Sequence, residues 1–257
     1  LAHLDAPFCA QEVERVIKAM PLDKAPGPDG FIGRFYATCW SIIKEDFMRA
    51  MDCFYKGDMR GLSAINKSLV SLLPKKEGAL EVSDFRPINL VHGAVKIFEK
   101  VLACKLVEGL PKLVGNNQSA FVKGRSLHDN FMLVQCMARR LHALKSPTVM
   151  LKLDITKAFD SISWPFLVEV LRRFGFGEKW IAWICGLLAT SSTRIMINGC
   201  PGKPILACQG LRQGDPLSLF LFLFVADALS ALISKSMREE GLQGVKICRG
   251  APEISHL

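Results

Sequence analysis

The sequence predicts an α+β fold, rich in helix and carrying a small antiparallel sheet. Apolar residues recur at helical spacing through much of the chain, as at Val13, Val16, Ile17 and Met20. Runs of β type are few and short, as at Thr193-Arg-Ile-Met-Ile-Asn-Gly199. One run, Val149-Met-Leu-Lys-Leu-Asp154, is mostly apolar and stops on an acid. A carboxylate at the end of a strand is held rigidly, which suits a metal ligand.

The elements follow in order. Residues 10–20 have the spacing of an amphipathic helix. Pro21 and Ala25-Pro-Gly-Pro-Asp-Gly30 then force an irregular loop, since proline locks φ and glycine permits positive φ. A second helical pattern covers residues 35–55. Residues 66–73 read as a strand, Pro74-Lys-Lys-Glu-Gly78 as a basic turn, and residues 84–90 as a short returning segment. A long helix is expected over residues 92–110, with Val95, Phe98, Leu102 and Leu106 on one face. Gly115-Asn-Asn-Gln-Ser119 breaks the chain before another helix at 129–144. Residues 149–154 are the strongest strand; 163–174 and 180–189 are helical. Residues 193–199 and 205–208 read as a hairpin, and 218–238 as a long, largely buried helix.

With 257 residues, half of them hydrophobic, the chain can bury a sizeable core. The formal charge of +9, from Lys+Arg 33 against Asp+Glu 24, points to a polyanionic partner, nucleic acid first. A basic surface kept for solubility is the plain alternative. The nine cysteines form no Cys-x-x-Cys pair and the five histidines complete no zinc spacing. They read as reduced, mostly buried thiols of an intracellular protein. The apolar run at residues 219–226 is too short for a membrane span, which needs about 20 residues, so no membrane partner is expected. The absence of a starting Met and an ending at Leu257 lead to the expectation of a fragment. No phosphate-binding glycine loop, zinc spacing or Ser/His/Asp order appears, which argues against a metabolic enzyme of another kind.

Several residues have two readings each. Asp154 suits a metal ligand, although an aspartate there more often caps a helix. Asp160 reads better as a solvated acid, and Phe159 fits a core position. Gly210-Leu-Arg-Gln-Gly-Asp-Pro216 places polar side chains and free N–H groups at a helix entrance, where a phosphate or base edge can be met. The plain reading is an ordinary loop with Asp215 as cap and Pro216 in the first turn. Lys75, Lys76 and Arg86 lie beside two short strands that can fold over a nucleotide, and Arg offers a bidentate fork to phosphate. Lys76 can equally face solvent.

Six segments in order resemble the reverse transcriptase of plant non-LTR (LINE-type) retrotransposons. They are Lys24-Ala-Pro-Gly-Pro-Asp-Gly-Phe31, Leu73-Pro-Lys-Lys76, Asp84-Phe-Arg-Pro-Ile-Asn-Leu90, Asn117-Gln-Ser-Ala-Phe-Val-Lys-Gly-Arg125, Leu153-Asp-Ile-Thr-Lys-Ala-Phe-Asp160 and Gly210-Leu-Arg-Gln-Gly-Asp-Pro-Leu-Ser218. The resemblance implies right-hand polymerase fingers and an incomplete palm: a helical extension at 1–60, fingers at 61–148 and partial palm at 149–257. It implies RNA-directed DNA synthesis by two-metal catalysis, with Mg²⁺ (or Mn²⁺) as cofactor and template RNA, DNA primer and dNTP as partners. Asp154 and the carbonyl of Ile155 would bind metal. Phe159 would be the steric gate beneath the incoming sugar, with Gln213 and Gly214 beside the nucleotide. Lys75 and Arg86 would reach the triphosphate, and Lys123 and Arg125 would line the template path.

Two departures stand out. Leu219 occupies a position where the family usually has proline. The family's aromatic-Ala-Asp-Asp turn, source of the second carboxylate, would follow Ile254-Ser-His-Leu257 directly. Asp227, the only aspartate after Ser218, lies inside a helix and cannot substitute. The polypeptide is therefore expected to be inactive by itself. A non-catalytic nucleic-acid-binding remnant or pseudogene product is the alternative from another class. A group II intron maturase shares the core, but the wording near residues 25–29 and 84–90 favours the retrotransposon family.

Overall fold

The structure, a computed structural model, describes residues 1–257 except 240, 247, 249, 252 and 257 and the side chain of residue 2. Leu257, the last residue of the Ile254-Ser-His-Leu257 match, thus lies outside the described residues. The chain divides into two compact units, residues 1–106 with 159–222, and residues 107–158 with 223–257.

The first unit is helical around a small sheet. Its elements are α1 (Ala10–Ala19), α2 (Gly33–Tyr55), α3 (Leu62–Ile65), β1 (Lys67–Pro74), β2 (Phe85–Val91), most of α4 (Gly93–Leu113), α6 (Trp164–Arg173), α7 (Glu178–Ala189), β3 (Ser192–Ile197), β4 (Cys200–Pro201), β5 (Ile205–Leu206) and the start of α8 (Ser218–Arg238). The amphipathic pattern of α1 buries Val13, Val16 and Ile17, as its spacing requires. Along α2, Tyr36, Trp40, Phe47, Met51 and Phe54 are buried. Their rings meet α4 and α7: Phe47 and Phe54 lie 5.4 and 5.5 Å from Phe98, and Phe54 stacks on Trp183 at 5.9 Å. This aromatic cluster is the heart of the unit.

The sheet has the order β2-β1-β3-β4, with β5 also paired to β3. β1 and β2 form an antiparallel hairpin that sets Leu73 opposite Arg86. β1 and β3 are parallel, with Lys67 opposite Ser192. The sheet is therefore mixed, a correction to the antiparallel expectation. The physical reason is the connection: α4 to α7 carry the chain far from β1 and return it in the same direction, as a crossover must. The expected hairpin is present, with Thr193 opposite Ile205 in the β3–β5 pair. Asn66, fully buried, fastens the start of β1 to the end of α7 by donating to Leu187 O at 2.7 Å and Thr190 Oγ1 at 2.9 Å.

The Pro/Gly loop is seated on the junction of β2 and α4. Asp29 Oδ2 accepts from Gly93 N at 3.0 Å and from the Tyr36 hydroxyl at 3.4 Å, and lies 3.3 Å from His92 Nδ1. It satisfies an N–H that the first turn of α4 leaves open. Burial and the Asp29 carboxylate push the Tyr36 phenol well up from its ordinary value. Gly27 is required by proximity, because a Cβ there would lie 2.2 Å from Val91 O.

The second unit holds the end of α4, α5 (Leu127–Ala143), the segment 144–158 and the remainder of α8. Three expectations need correction. Residues 149–154 form no strand: Val149, Leu151 and Leu153 are 92%, 76% and 64% exposed in irregular chain. β-propensity becomes a strand only when a neighbour supplies the ladder, and no described residue pairs with this run. α8 is buried mainly over its first two turns, at Ser218, Leu221, Leu223 and Phe224, while Leu229 and Leu232 are exposed. By length and composition α8 can cross a membrane, which the eight-residue run had not disclosed. The cysteines are all free but mainly exposed, with Cys39 and Cys185 partly covered. Their positions fall on solvent faces of helices and loops, which composition does not record.

Gly27→Ala is expected to destabilise the chain by about 1–3 kcal/mol, because the backbone of Val91 would have to move. A lowered urea midpoint with an unchanged slope checks it.

Candidate functional site

Three motifs widely spaced in the sequence converge in the first unit. Leu211 N donates to Phe159 O at 2.8 Å, and Gly210 N to Ile162 O at 2.7 Å. Trp164 Nε1, at the start of α6, donates to Gly210 O at 2.7 Å. Gly210 adopts φ +79°, and a Cβ there would meet Asp160 O at 2.8 Å, so close approach and backbone conformation both call for glycine. Asp160 is exposed, as the plain reading had it, and its carbonyl accepts from Gln209 Nε2 at 3.4 Å. The Phe159 ring is half-buried and stacks on Phe222 of α8, with centroids 4.9 Å apart at 15°. It is thus partly a core residue.

The loop between Gly210 and α8 is clamped at its base. Arg212 Nη2 donates to Glu99 Oε1 at 2.8 Å, with the two side chains only 11% and 1% exposed. Asp215 Oδ1 accepts from Leu217 N at 2.8 Å and closes the turn before α8; because α8 begins at Ser218, Asp215 is not its cap and Pro216 lies outside its first turn, a correction to the plain reading. On the sheet side, Asn89 Nδ2 of β2 donates to Gln213 O at 3.5 Å. Ser68 of β1 orients that amide by donating to Asn89 Oδ1 at 3.2 Å. Gln213 and Gly214 are exposed at the tip. Burial, and next the Asp215 carboxylate, push Glu99 well above the ordinary carboxyl range, while the Arg212 guanidinium opposes them.

The basic residues of the β1–β2 hairpin have local partners. Lys75 Nζ donates to Ser83 O at 2.8 Å within the turn. Lys76 is exposed, as its plain reading had it, and pairs with Asp84 at 2.8 Å, holding that carboxyl below its ordinary value. Arg86 is exposed and makes no ion pair among the described residues.

In the second unit, Asp154 and Ile155 are exposed in the irregular segment, and Asp154 has no hydrogen bond or ion pair among the described residues. It is not a helix cap, since no helix starts there. Among the described residues no group of three or more His, Cys, Asp or Glu side chains can hold a metal ion. The donor set as arranged does not fit a two-metal centre. Asp227 Oδ1 accepts from Gly115 N at 2.9 Å, a structural use that agrees with its exclusion as a ligand.

Arg125 has a structural task within the chain. Its guanidinium donates to Pro111 O, Val114 O, Gly115 O and Gln118 O at 2.5–3.1 Å, closing the end of α4 and the turn after it. The last carbonyls of a helix have no partner inside it, and this fork supplies one. Lys123 remains exposed.

A family model described as reverse transcriptase (RNA-dependent DNA polymerase) matches residues 73–249, well over half of the chain. The chain belongs to the reverse transcriptase family. The chain is 28% identical over 236 residues to the transposon TX1 uncharacterized 149 kDa protein of Xenopus laevis, covering 91% of this chain and 18% of that protein. It is 29% identical over 206 residues to the retrovirus-related Pol polyprotein of a type-1 retrotransposable element R2 of Nasonia vitripennis, covering 80% and 19%. It is also 39% identical over 62 residues to the uncharacterized mitochondrial protein AtMg01250 of Arabidopsis thaliana, covering 24% and 51%. The chain thus spans less than a fifth of the first two relatives' length.

Sequence reasoning missed Glu99, Asn89 and Asp29 as parts of the site's frame. Glu99 had a legible signal: it falls four residues after Val95 on the apolar face of α4, where a charge needs a buried partner.

Two outcomes are expected of this chain. Arg125→Ala lowers stability by about 1–3 kcal/mol through orphaned carbonyls, whereas Lys123→Ala leaves the urea midpoint in place. Glu99 holds its proton more tightly folded than unfolded, so the stability it confers is full below its ordinary value of 4.5 and declines as pH rises towards the raised value. Glu99→Gln flattens that decline, as urea midpoints compared from acid to neutral pH would record.

Proposed function

We propose that the chain is the fingers and part of the palm of an RNA-directed DNA polymerase from a non-LTR retrotransposon, of the LINE type found in plants. The observation that carries this reading is the convergence in one unit of the Phe159 segment, the Gly210–Gly214 loop and Asn89 of β2. A nucleotide bound there meets three motifs at once. In this reading residues 1–60 extend the fingers, 61–148 form them and 149–257 belong to the palm. The place of action is the nucleus or cytoplasm.

The reaction is attack of a primer 3′-OH on the α-phosphorus of a dNTP, with pyrophosphate leaving. Its catalysis lies in positioning and charge neutralisation. The Phe159 ring, braced by Phe222, excludes a ribose 2′-OH by contact. Gln213 and Gly214 meet the nucleotide from the loop tip. Arg86, which makes no ion pair among the described residues, is the better placed cation for the triphosphate; Lys75 must leave Ser83 O to join it. Lys123 follows the template backbone, while Arg125 braces the turn that carries it. A divalent cation, Mg²⁺ or Mn²⁺, is the cofactor of this chemistry and requires oxygen ligands in addition to Asp154 and Ile155 O.

The missing carboxylate cluster among the described residues favours a second reading, a nucleic-acid-binding protein without turnover. The two separate in one experiment on these residues. An RNA template annealed to a DNA primer is expected to bind with an affinity that falls as salt rises, without extension in Mg²⁺ and dNTPs. Robust Mg²⁺-dependent extension sinks the second reading, and no binding at low salt sinks both. In equilibrium titrations, Phe159→Val is expected to improve rNTP binding relative to dNTP by about tenfold, or ~1.4 kcal/mol. An unchanged ratio removes the gate assignment.

A further inference from the structure

We infer that Glu99 is a positioning residue that acts through Arg212 to hold the Gln213–Gly214 tip in a fixed place. The inference rests on the assignment of that tip to the nucleotide, and it begins from an anomaly in α4. Glu99 lies on the helix face that buries Val95, Phe98 and Leu102, and is itself 1% exposed. An ionisable group in such a place weakens a core unless it is paired, and an apolar side chain of similar size would pack there without that penalty. Folding alone therefore gives no reason for a glutamate.

What Glu99 holds does give a reason. Its partner Arg212 belongs to the loop, immediately before Gln213, and the bond is 2.8 Å long. On the far side of the tip, Asp215 is tied to Leu217 N, and its carboxylate acts on Glu99. Arg212 and Asp215 thus form two feet on either side of Gln213 and Gly214, both standing around one buried carboxylate. Among the described residues, Glu99 Oε2 and Arg212 Nη1 are buried without a hydrogen bond of normal geometry, the Asp215 carboxylate stands beside Glu99, and a cavity of about 20 Å³ adjoins Glu99 and Arg212, lined also by Ser191 and Ser218. That volume accepts roughly one water molecule. Above the feet, the Gln213 side chain makes no hydrogen bond among the described residues and is exposed. A free side chain on a clamped backbone is what a preorganised contact requires: the geometry is set before the ligand arrives.

The test uses the full chain and two readouts. In Glu99→Leu combined with Arg212→Met, both charges leave together and the core stays satisfied. Amide hydrogen exchange in peptides spanning 209–217 is expected to rise about tenfold, while peptides of α7 exchange as before. Glu99→Gln, which still accepts from Arg212, is expected to stay within about twofold of wild type. Should the double variant fail to fold, Arg212→Met alone, which removes the donor to Glu99, is read from the same peptides and expected to show the same rise. Unchanged exchange in the loop overturns the inference. The second readout is binding of dTTP, expected to weaken about tenfold in the double variant. If loop exchange rises but dTTP affinity holds, positioning for the nucleotide is overturned. If the wild-type chain binds no dTTP while its loop still responds, the nucleotide assignment fails and the clamp stands.

Discussion

A carboxylate buried in α4 and the guanidinium it holds join segments more than a hundred residues apart. Around that pair the rest of the first unit is arranged. The same helix supplies Phe98 to the aromatic cluster and takes its N-terminal cap from Asp29 of the Pro/Gly loop. A paired charge in a core is directional where apolar packing is not. It fixes which loop approaches α4 and in what register, so the aromatic cluster supplies cohesion and the ion pair supplies alignment.

Polar side chains inside the first unit repeat this division of labour at smaller scale. Asn66 joins β1 to α7, Ser68 orients Asn89, and Asn89 reaches the loop at Gln213. Each donates a hydrogen bond to a group distant in sequence. Buried polar groups must be paired, so each constrains its surroundings more tightly than a methyl group does. The second unit shows the opposite case. Its irregular segment at 149–155 exposes a run of large apolar residues, and Asp154 has no partner among the described residues.

Much of the fold was legible before any coordinates. The spacing of Val13, Val16 and Ile17 identified α1, and the long apolar face of residues 92–110 identified α4. The Thr193 and Ile205 pairing followed from alternation broken by a glycine turn. The site was legible in part: Phe159, Gln213 and Gly214 were singled out, and the structure gathers their backbones. The strand at 149–154 was misread, because apolar composition names a candidate strand but not its neighbour. At Arg125 the charge was visible along the chain, while the four carbonyls that accept from it were not.

By itself, the order of residues determined the helices, the β1–β2 and β3–β5 pairings, the basic balance and the six motifs that mark a reverse transcriptase. These rest on local periodicity, on turn chemistry and on residue identity, all of which are written along the chain. Tertiary structure alone decided that β1 and β3 run parallel, that Arg125 closes a helix, and that Glu99 grips the loop beside Gln213. Each of those outcomes depends on which distant group arrives to satisfy a hydrogen bond or a charge, and pairing at a distance leaves no mark in the neighbourhood of either residue.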